Sequence, residues 1–441
     1  MESSDALYIP PAFEYTDKNG AIRLGISLFN RFSLAGSPGE NFVLFEVTSL
    51  QPKSAAREST INMCLLLDKS HSMFGGPFRE VIRAAQVIVD QLEERDYLAV
   101  IGFDHDVEIV QASSRKTDPV KLKRRLEAMD VEGGSTDIGK ALESGLAEVQ
   151  KHISSETIDK IVLLTDGRPN QGLTRDDEFY PLAERIRAAG VTLSSVGMGP
   201  EYNEELLASL ARLTGGGFYH SSRPREVKAI FKKEIARSLN VSHRGITLKI
   251  TPKRWVKLKE VVGFPAKFDE GSHYIELPDL ERSDRVGIIV NISLEDHPPG
   301  IFRILDCELS YRPATRGMRG SLDGNANLKF VDDPTLLKEG KNPRVDKALL
   351  MLNVRSDLIS TLKGIKTQTI SAKQAEAELK EYQRTLVLSG QTEAAKEIEK
   401  AIETLRANQP EDAGKILTQS AFDMEKGFSS EDTKDSPEEE E

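Results

Sequence analysis

Between Ile61 and Asn240 the chain alternates unbroken apolar runs with amphipathic segments, and few folds accept that rhythm. INMCLLLD (61–68), YLAVIGFD (97–104), IDKIVLLTDG (158–167) and VTLSSVGMG (191–199) read as strands apolar on both faces. Between them, PFREVIRAAQVIVDQLEER (77–95) places Val81, Ile82, Ala85, Ile88, Val89 and Leu92 on one helical face. Further helices are expected at 118–129, 137–152, 178–190, 203–217 and 224–239, several opened by Asp or Asn caps and closed by glycine. Continuous apolar strands alternating with amphipathic helices imply an α/β domain, a doubly wound and mostly parallel sheet covered on both faces.

The flanks have a different texture. Residues 1–60 and 245–333 carry alternating strand segments such as AIRLGISLF (21–29), ITLKITP (246–252) and FRILDCELSYR (302–312). Each piece is too small for a stable sheet domain, so the economical expectation is one β-sandwich with the α/β domain (61–240) inserted in it. Residues 344–427 read as charged helices forming a hairpin or small bundle. The last thirteen residues, SSEDTKDSPEEEE, set seven acids against one lysine and carry over half of the net charge of −11, so 428–441 reads as a disordered, solvated acidic tail.

That charge argues against a nucleic-acid surface. No apolar run reaches the length of a membrane span, and MESSDALYIPPAFEY has no secretory pattern. Two cysteines, Cys64 and Cys307, each within an apolar run, suggest core thiols in a reducing compartment, so a cytoplasmic location is expected.

In a parallel sheet, chemistry gathers at the carboxyl ends of the strands. Three such ends carry short oxygen-bearing side chains: Asp68-Lys69-Ser70-His71-Ser72; the loop VEGGSTD, with Ser135, Thr136 and Asp137; and LLTDG, with Asp166. Two carboxylates, several hydroxyls and flexible glycines suit a hard divalent cation such as Mg²⁺ or Mn²⁺. Capping explains Ser135 and Asp137 better than ligation does. FDHD (103–106) reads as a polar turn, and VGMGPEYN lacks the third glycine of a dinucleotide loop.

With DxSxS at Asp68–Ser72, the GGST loop holding Thr136, and LLTDG holding Asp166 in that order, the run from 61 to 240 resembles a von Willebrand factor A domain. The resemblance implies a Rossmann-like fold with a metal-ion-dependent adhesion site. Ser70, Ser72 and Thr136 would ligate the cation directly or through water, Asp68 and Asp166 would supply negative charge, and a partner's acidic residue would complete the shell. His71 stands where the family usually has glycine. The flanking strands and helices look like those of bacterial cytoplasmic proteins of this type, some of them associated with MoxR-type ATPases or with kinase and phosphatase signalling.

The expected function is therefore a metal-dependent protein–protein interaction module and not an enzyme. The alternatives are a metal-independent scaffold with a degenerate site and a metal-dependent phosphohydrolase. Aspartyl-phosphate hydrolases use DxD, and here the second acid is replaced by Ser70, a poor proton donor.

Overall fold

The computed structural model describes residues 12–52, 59–115, 118–131, 133–314 and 318–425. The expected acidic tail, 428–441, lies outside the described residues.

The central sheet contains β1 (Thr60–Asp68), β2 (Tyr97–Phe103), β3 (Val107–Arg115), β4 (Thr157–Thr165), β5 (Thr192–Met198) and β6 (Phe218–Ser221), in the spatial order β3-β2-β1-β4-β5-β6. All neighbours are parallel except β3, which closes one edge antiparallel to β2. This is a doubly wound sheet whose order reverses between β1 and β4. The helices are α1 (Gly76–Gln91), α2 (Pro119–Glu127), α3 (Ile138–Gln150), α4 (Tyr180–Ala188), α5 (Glu204–Thr214) and α6 (Val227–Asn240).

Strand β1 shows why its run is apolar on both faces. Ile61, Met63, Leu65 and Leu67 face a core shared with α1 and α6, while Cys64 and Leu66 face a second core shared with α3, α4 and α5. All six are fully buried. A fully buried leucine contributes about 1.5–3 kcal/mol, so both faces of this strand hold helices in place. Helix α3 comes close enough that a Cβ at Gly145 would lie 3.1 Å from Leu66.

The flanking strands form two packed sheets around one core containing Ile26, Phe45, Val290, Ile250, Leu309 and Phe330. Gly39–Ser49, before the α/β domain, pairs antiparallel with Arg285–Leu294, after it, over ten residue pairs. In the second sheet Val241–Pro252 pairs with Gly300–Pro313, and Phe32–Leu34 from the N-terminal piece joins the far edge. The strand texture read from Gly245 begins earlier, because Val241–Pro252 follows α6 without a linker. Where the chain leaves and re-enters the sandwich, Ser242 Oγ donates to Ser49 Oγ at 2.9 Å.

Four long helices follow: α7 (Pro343–Lys366), α8 (Ala372–Leu388), α9 (Thr392–Arg406) and α10 (Pro410–Glu425). They bury Leu358, Leu379, Ile398 and Leu417 in a core of their own, so of the two arrangements expected the bundle forms. It also ties the other layers together. Arg344 at the start of α7 forks onto Glu46 of the sandwich, at 2.5 and 2.8 Å. On α10, Phe422 packs edge-on against Phe218 of β6, with ring centroids 5.9 Å apart. Lys415 Nζ sits 3.8 Å from the Tyr202 ring centroid and donates to Pro200 O at 2.6 Å.

Candidate metal centre

The reversal of strand order between β1 and β4 leaves a crevice at their carboxyl ends, and the three oxygen-bearing loops meet there. Asp68 ends β1, fully buried. Its Oδ1 accepts the Ser70 backbone N–H at 2.9 Å, and its Oδ2 accepts the Thr165 hydroxyl at 2.5 Å from the end of β4. Burial dominates these two bonds and pushes the carboxyl up to about 6.

Ser70 is buried and Ser72 is exposed, with their hydroxyls 3.1 Å apart. Ser72 Oγ then donates to Asp166 Oδ1 at 2.7 Å. Burial raises the half-buried Asp166 carboxyl as well, against the lowering effect of the Ser72 bond. Asp68, Ser70, Ser72 and Asp166 thus form one connected line of oxygens from the sheet core to the surface.

Thr136 is buried in the loop between α2 and α3, so this loop does not end a strand as the sequence suggested; helix α2 intervenes after β3. The loop is joined to the serine loop by a parallel bridge between Ser70 and Gly133. On its other side Asn170 Oδ1 accepts the Thr136 N–H at 2.7 Å, while Asn170 N donates to Thr136 O at 3.1 Å. A Cβ on Gly167 would lie 3.6 Å from Thr136 Oγ1, so this hydroxyl faces the turn that carries Asp166. All five residues singled out in the sequence are therefore at this crevice.

His71 does not disturb the loop. It starts a short 3-10 turn, His71–Met73, and is absent from the non-glycine residues with positive φ. Its exposed ring stacks on the exposed Phe74, with centroids 6.1 Å apart and planes 19° apart. Asp137 caps α3 as expected, accepting Lys140 N at 2.9 Å. Ser135 does not cap; its hydroxyl donates to Gln171 at 2.7 Å.

Three supporting residues escaped the sequence reading. Thr165 reads as the last residue of an apolar strand, yet its hydroxyl donates to Asp68. Asn170 holds Thr136 from a loop whose only signal is turn chemistry, RPNQG. Asp104, within the FDHD turn, is buried and packs so tightly under the glycine loop that a Cβ on Gly133 would come within 2.3 Å of its Oδ2. Asp104 O also accepts Asp137 N at 2.8 Å. No local pattern marks these roles, because each partner is tens of residues away.

The donors are oxygens only: two carboxylates and three hydroxyls. Among the described residues no three His, Cys, Asp or Glu side chains are grouped so as to hold a metal ion by themselves. The set fits a hard divalent cation that leaves part of its shell open.

The model of the von Willebrand factor type A domain matches residues 62–233. This segment is a von Willebrand factor A domain. Beyond the A domain itself, sequence relatives include the protein sll0103 of Synechocystis, 27% identical over 341 residues, covering 75% of this chain and 80% of that one. Protein YfbK of Escherichia coli is 23% identical over 358 residues, covering 79% of this chain, which spans 57% of its length. Two solved structures share the fold across nearly the whole chain. The von Willebrand factor type A protein of Catenulispora acidiphila superposes with a TM-score of 0.69 at 16% identity, covering 90% of this chain and 92% of its own. The ArnB paralog VWA2 of Sulfolobus acidocaldarius gives 0.63 at 16% identity, with 91% and 98% covered. The A domain, sandwich and C-terminal helices therefore recur together as one architecture. Among the described residues no helix is long and apolar enough to cross a membrane.

Proposed function

We propose that this protein is a metal-dependent protein–protein interaction module in which the A-domain crevice, loaded with Mg²⁺ or Mn²⁺, grips an acidic residue of a partner protein. The observation that carries the reading is the connected line Asp68–Ser70–Ser72–Asp166 at the switch point, with Thr136 facing the Asp166 turn. Ser70, Ser72 and Thr136 offer neutral oxygens to the cation, and Asp68 and Asp166 offer the charge. When bound, the cation supplies Lewis acidity toward an incoming carboxylate, which the sparing use of protein charge preserves. Thr165, Asn170 and Asp104 hold these donors in place before any partner arrives.

The reading assigns no catalytic residue. Ser70 stands where a phosphohydrolase of similar topology needs a second acid, and a serine hydroxyl does not protonate a leaving group near neutral pH. The buried, unpaired Cys64 and Cys307 agree with a cytoplasmic home. A MoxR-type ATPase or a kinase-linked assembly is the class of partner to seek, on the strength of the resemblance.

The test is calorimetric titration of Mg²⁺ and Mn²⁺ into EDTA-stripped protein, alone and with millimolar glutarate as a surrogate carboxylate. The reading expects about one site per chain, lost in Ser70→Ala and in Asp166→Ala. Silence with glutarate present would sink it and leave the metal-independent scaffold.

A further inference from the structure

At the opposite end of the A domain from the crevice, a cleft of about 470 Å³ separates its base from the sandwich. That volume and that position between two domains are typical of small-molecule sites. One wall comes from the segments entering β4, β5 and β6, the other from the sandwich strand Val241–Pro252 and the turn at Phe264. Much of the lining is apolar: Ile153, Leu213, Phe264, Pro265, Pro278 and Phe422.

Against this lining stands an arrangement of charge that folding alone does not favour. Arg244 and Arg312 both border the cleft and are directly opposite each other in the antiparallel ladder. Directly opposed side chains share a face, and like charges there repel. Arg244 directs its terminal nitrogens to backbone carbonyls at the A-domain base, Thr157 O and Ser155 O. Its Nε is buried without a hydrogen-bond partner, and the Asp159 carboxylate, 3.9 Å from its Nη1, is already bonded to Asn62 and Thr157. Arg312 is exposed and forms no ion pair among the described residues. Of the two other arginines on the lining, Arg187 is neutralised by Glu276 at 3.1 Å and Arg212 lies over the Phe422 ring, 5.8 Å from its centroid; Asp279 is the remaining carboxylate there.

We propose that this cleft binds a small amphipathic anion, an apolar body carrying one carboxylate or phosphate head that sits between Arg312 and Arg244. A guanidinium presents its donors in a fork matched to either head group, and the anion removes the repulsion between the two arginines. The site is independent of the metal crevice, so its failure leaves the interaction module untouched.

The experiment is fluorescence or calorimetric titration of the full-length protein with decanoate, decyl phosphate and uncharged decanol, each below its aggregation limit and with EDTA present. Saturable binding of one anion per chain, at least tenfold tighter than decanol, is expected, and the tighter of the two anions identifies the head group. Arg312→Gln, an exposed substitution, should erase that preference while decanol binding stays unchanged. Ile153→Trp, placed at the apolar lining, should abolish binding of all three. Equal affinity for decanol and decanoate, an Arg312→Gln variant with unaltered preference, or no saturable binding would each overturn the proposal.

Discussion

Asp68 makes the metal-free protein less stable at neutral pH than a neutral side chain would, and the size of the effect follows from its surroundings. The carboxyl is fully buried and accepts two hydrogen bonds, yet burial raises it from an ordinary 3.8 to about 6. At about 1.36 kcal/mol per pKa unit, holding it ionised in the fold costs about 3 kcal/mol. Because the folded pKa is the higher one, this contribution to stability is fully present below pH 3.8 and lost as pH rises through 6. An asparagine can keep both bonds: its carbonyl accepts Ser70 N–H, and its NH₂ donates to the Thr165 hydroxyl oxygen. Urea unfolding in EDTA should therefore find Asp68→Asn more stable than the native protein by about 1–3 kcal/mol at pH 7.5, with the gap closing toward pH 4. Added Mg²⁺ should stabilise only the native protein, since a ligand of the folded state acts by mass action. A variant less stable at pH 7.5, or a gap that ignores pH, would refute the reasoning. Under the proposed function, the candidate metal centre is a place where stability is given up for binding.

Other expectations follow from particular contacts. Gly133→Ala puts a methyl 2.3 Å from Asp104 Oδ2, so the Thr136 loop must shift; metal affinity should drop at least tenfold by calorimetry and partly recover in the Gly133→Ala, Asp104→Ala double variant. Glu234 is buried and accepts bonds from Lys160, Ser194 and Tyr219. Replacing it with glutamine strands the Lys160 charge and should cost about 3–5 kcal/mol in urea unfolding, part of which Lys160→Met restores. His220, bonded to Tyr202 and Ser222 and packed under α10 through Gln419, is held by burial at about 3. Here the unfolded chain takes up the proton first, so stability should fall by up to about 1.4 kcal/mol per pH unit as pH drops from about 6.5 toward 3. His220→Gln should flatten that slope in denaturant titrations at several pH values.

What the sequence by itself determined is what local periodicity and turn chemistry can encode. Strand β1 is apolar on both faces because helices cover both of them, and that requirement is written in the five consecutive residues Met63–Leu67. Helix α3 announces its start through Asp137. Asp68, Ser70, Ser72 and Asp166 sit at the ends of β1 and β4, where a doubly wound sheet must place its crevice, so most of the candidate site could be read along with the fold class; Thr136 reaches it from the loop between α2 and α3. A side chain in place of glycine at His71 left open how its loop would sit, and only the backbone, in an ordinary 3-10 turn, decided it.

Tertiary structure decided the rest. Ser135 bonds Gln171 instead of capping, because the RPNQG loop folds back over it. Thr165, Asn170 and Asp104 brace the donors through partners far away in sequence, and the pairing of Gly39–Ser49 with Arg285–Leu294 spans more than 200 residues of chain. Helix α10 could have closed a free-standing bundle as well as docked on β6; Phe422 and Lys415 find their partners only once the A domain is folded. The two sandwich arginines bordering the cleft are unremarkable as residues 244 and 312, and they become an opposed pair only through strand register. A composition or a periodicity records which face of an element is buried, but contacts between distant segments leave no trace until the chain has brought them together.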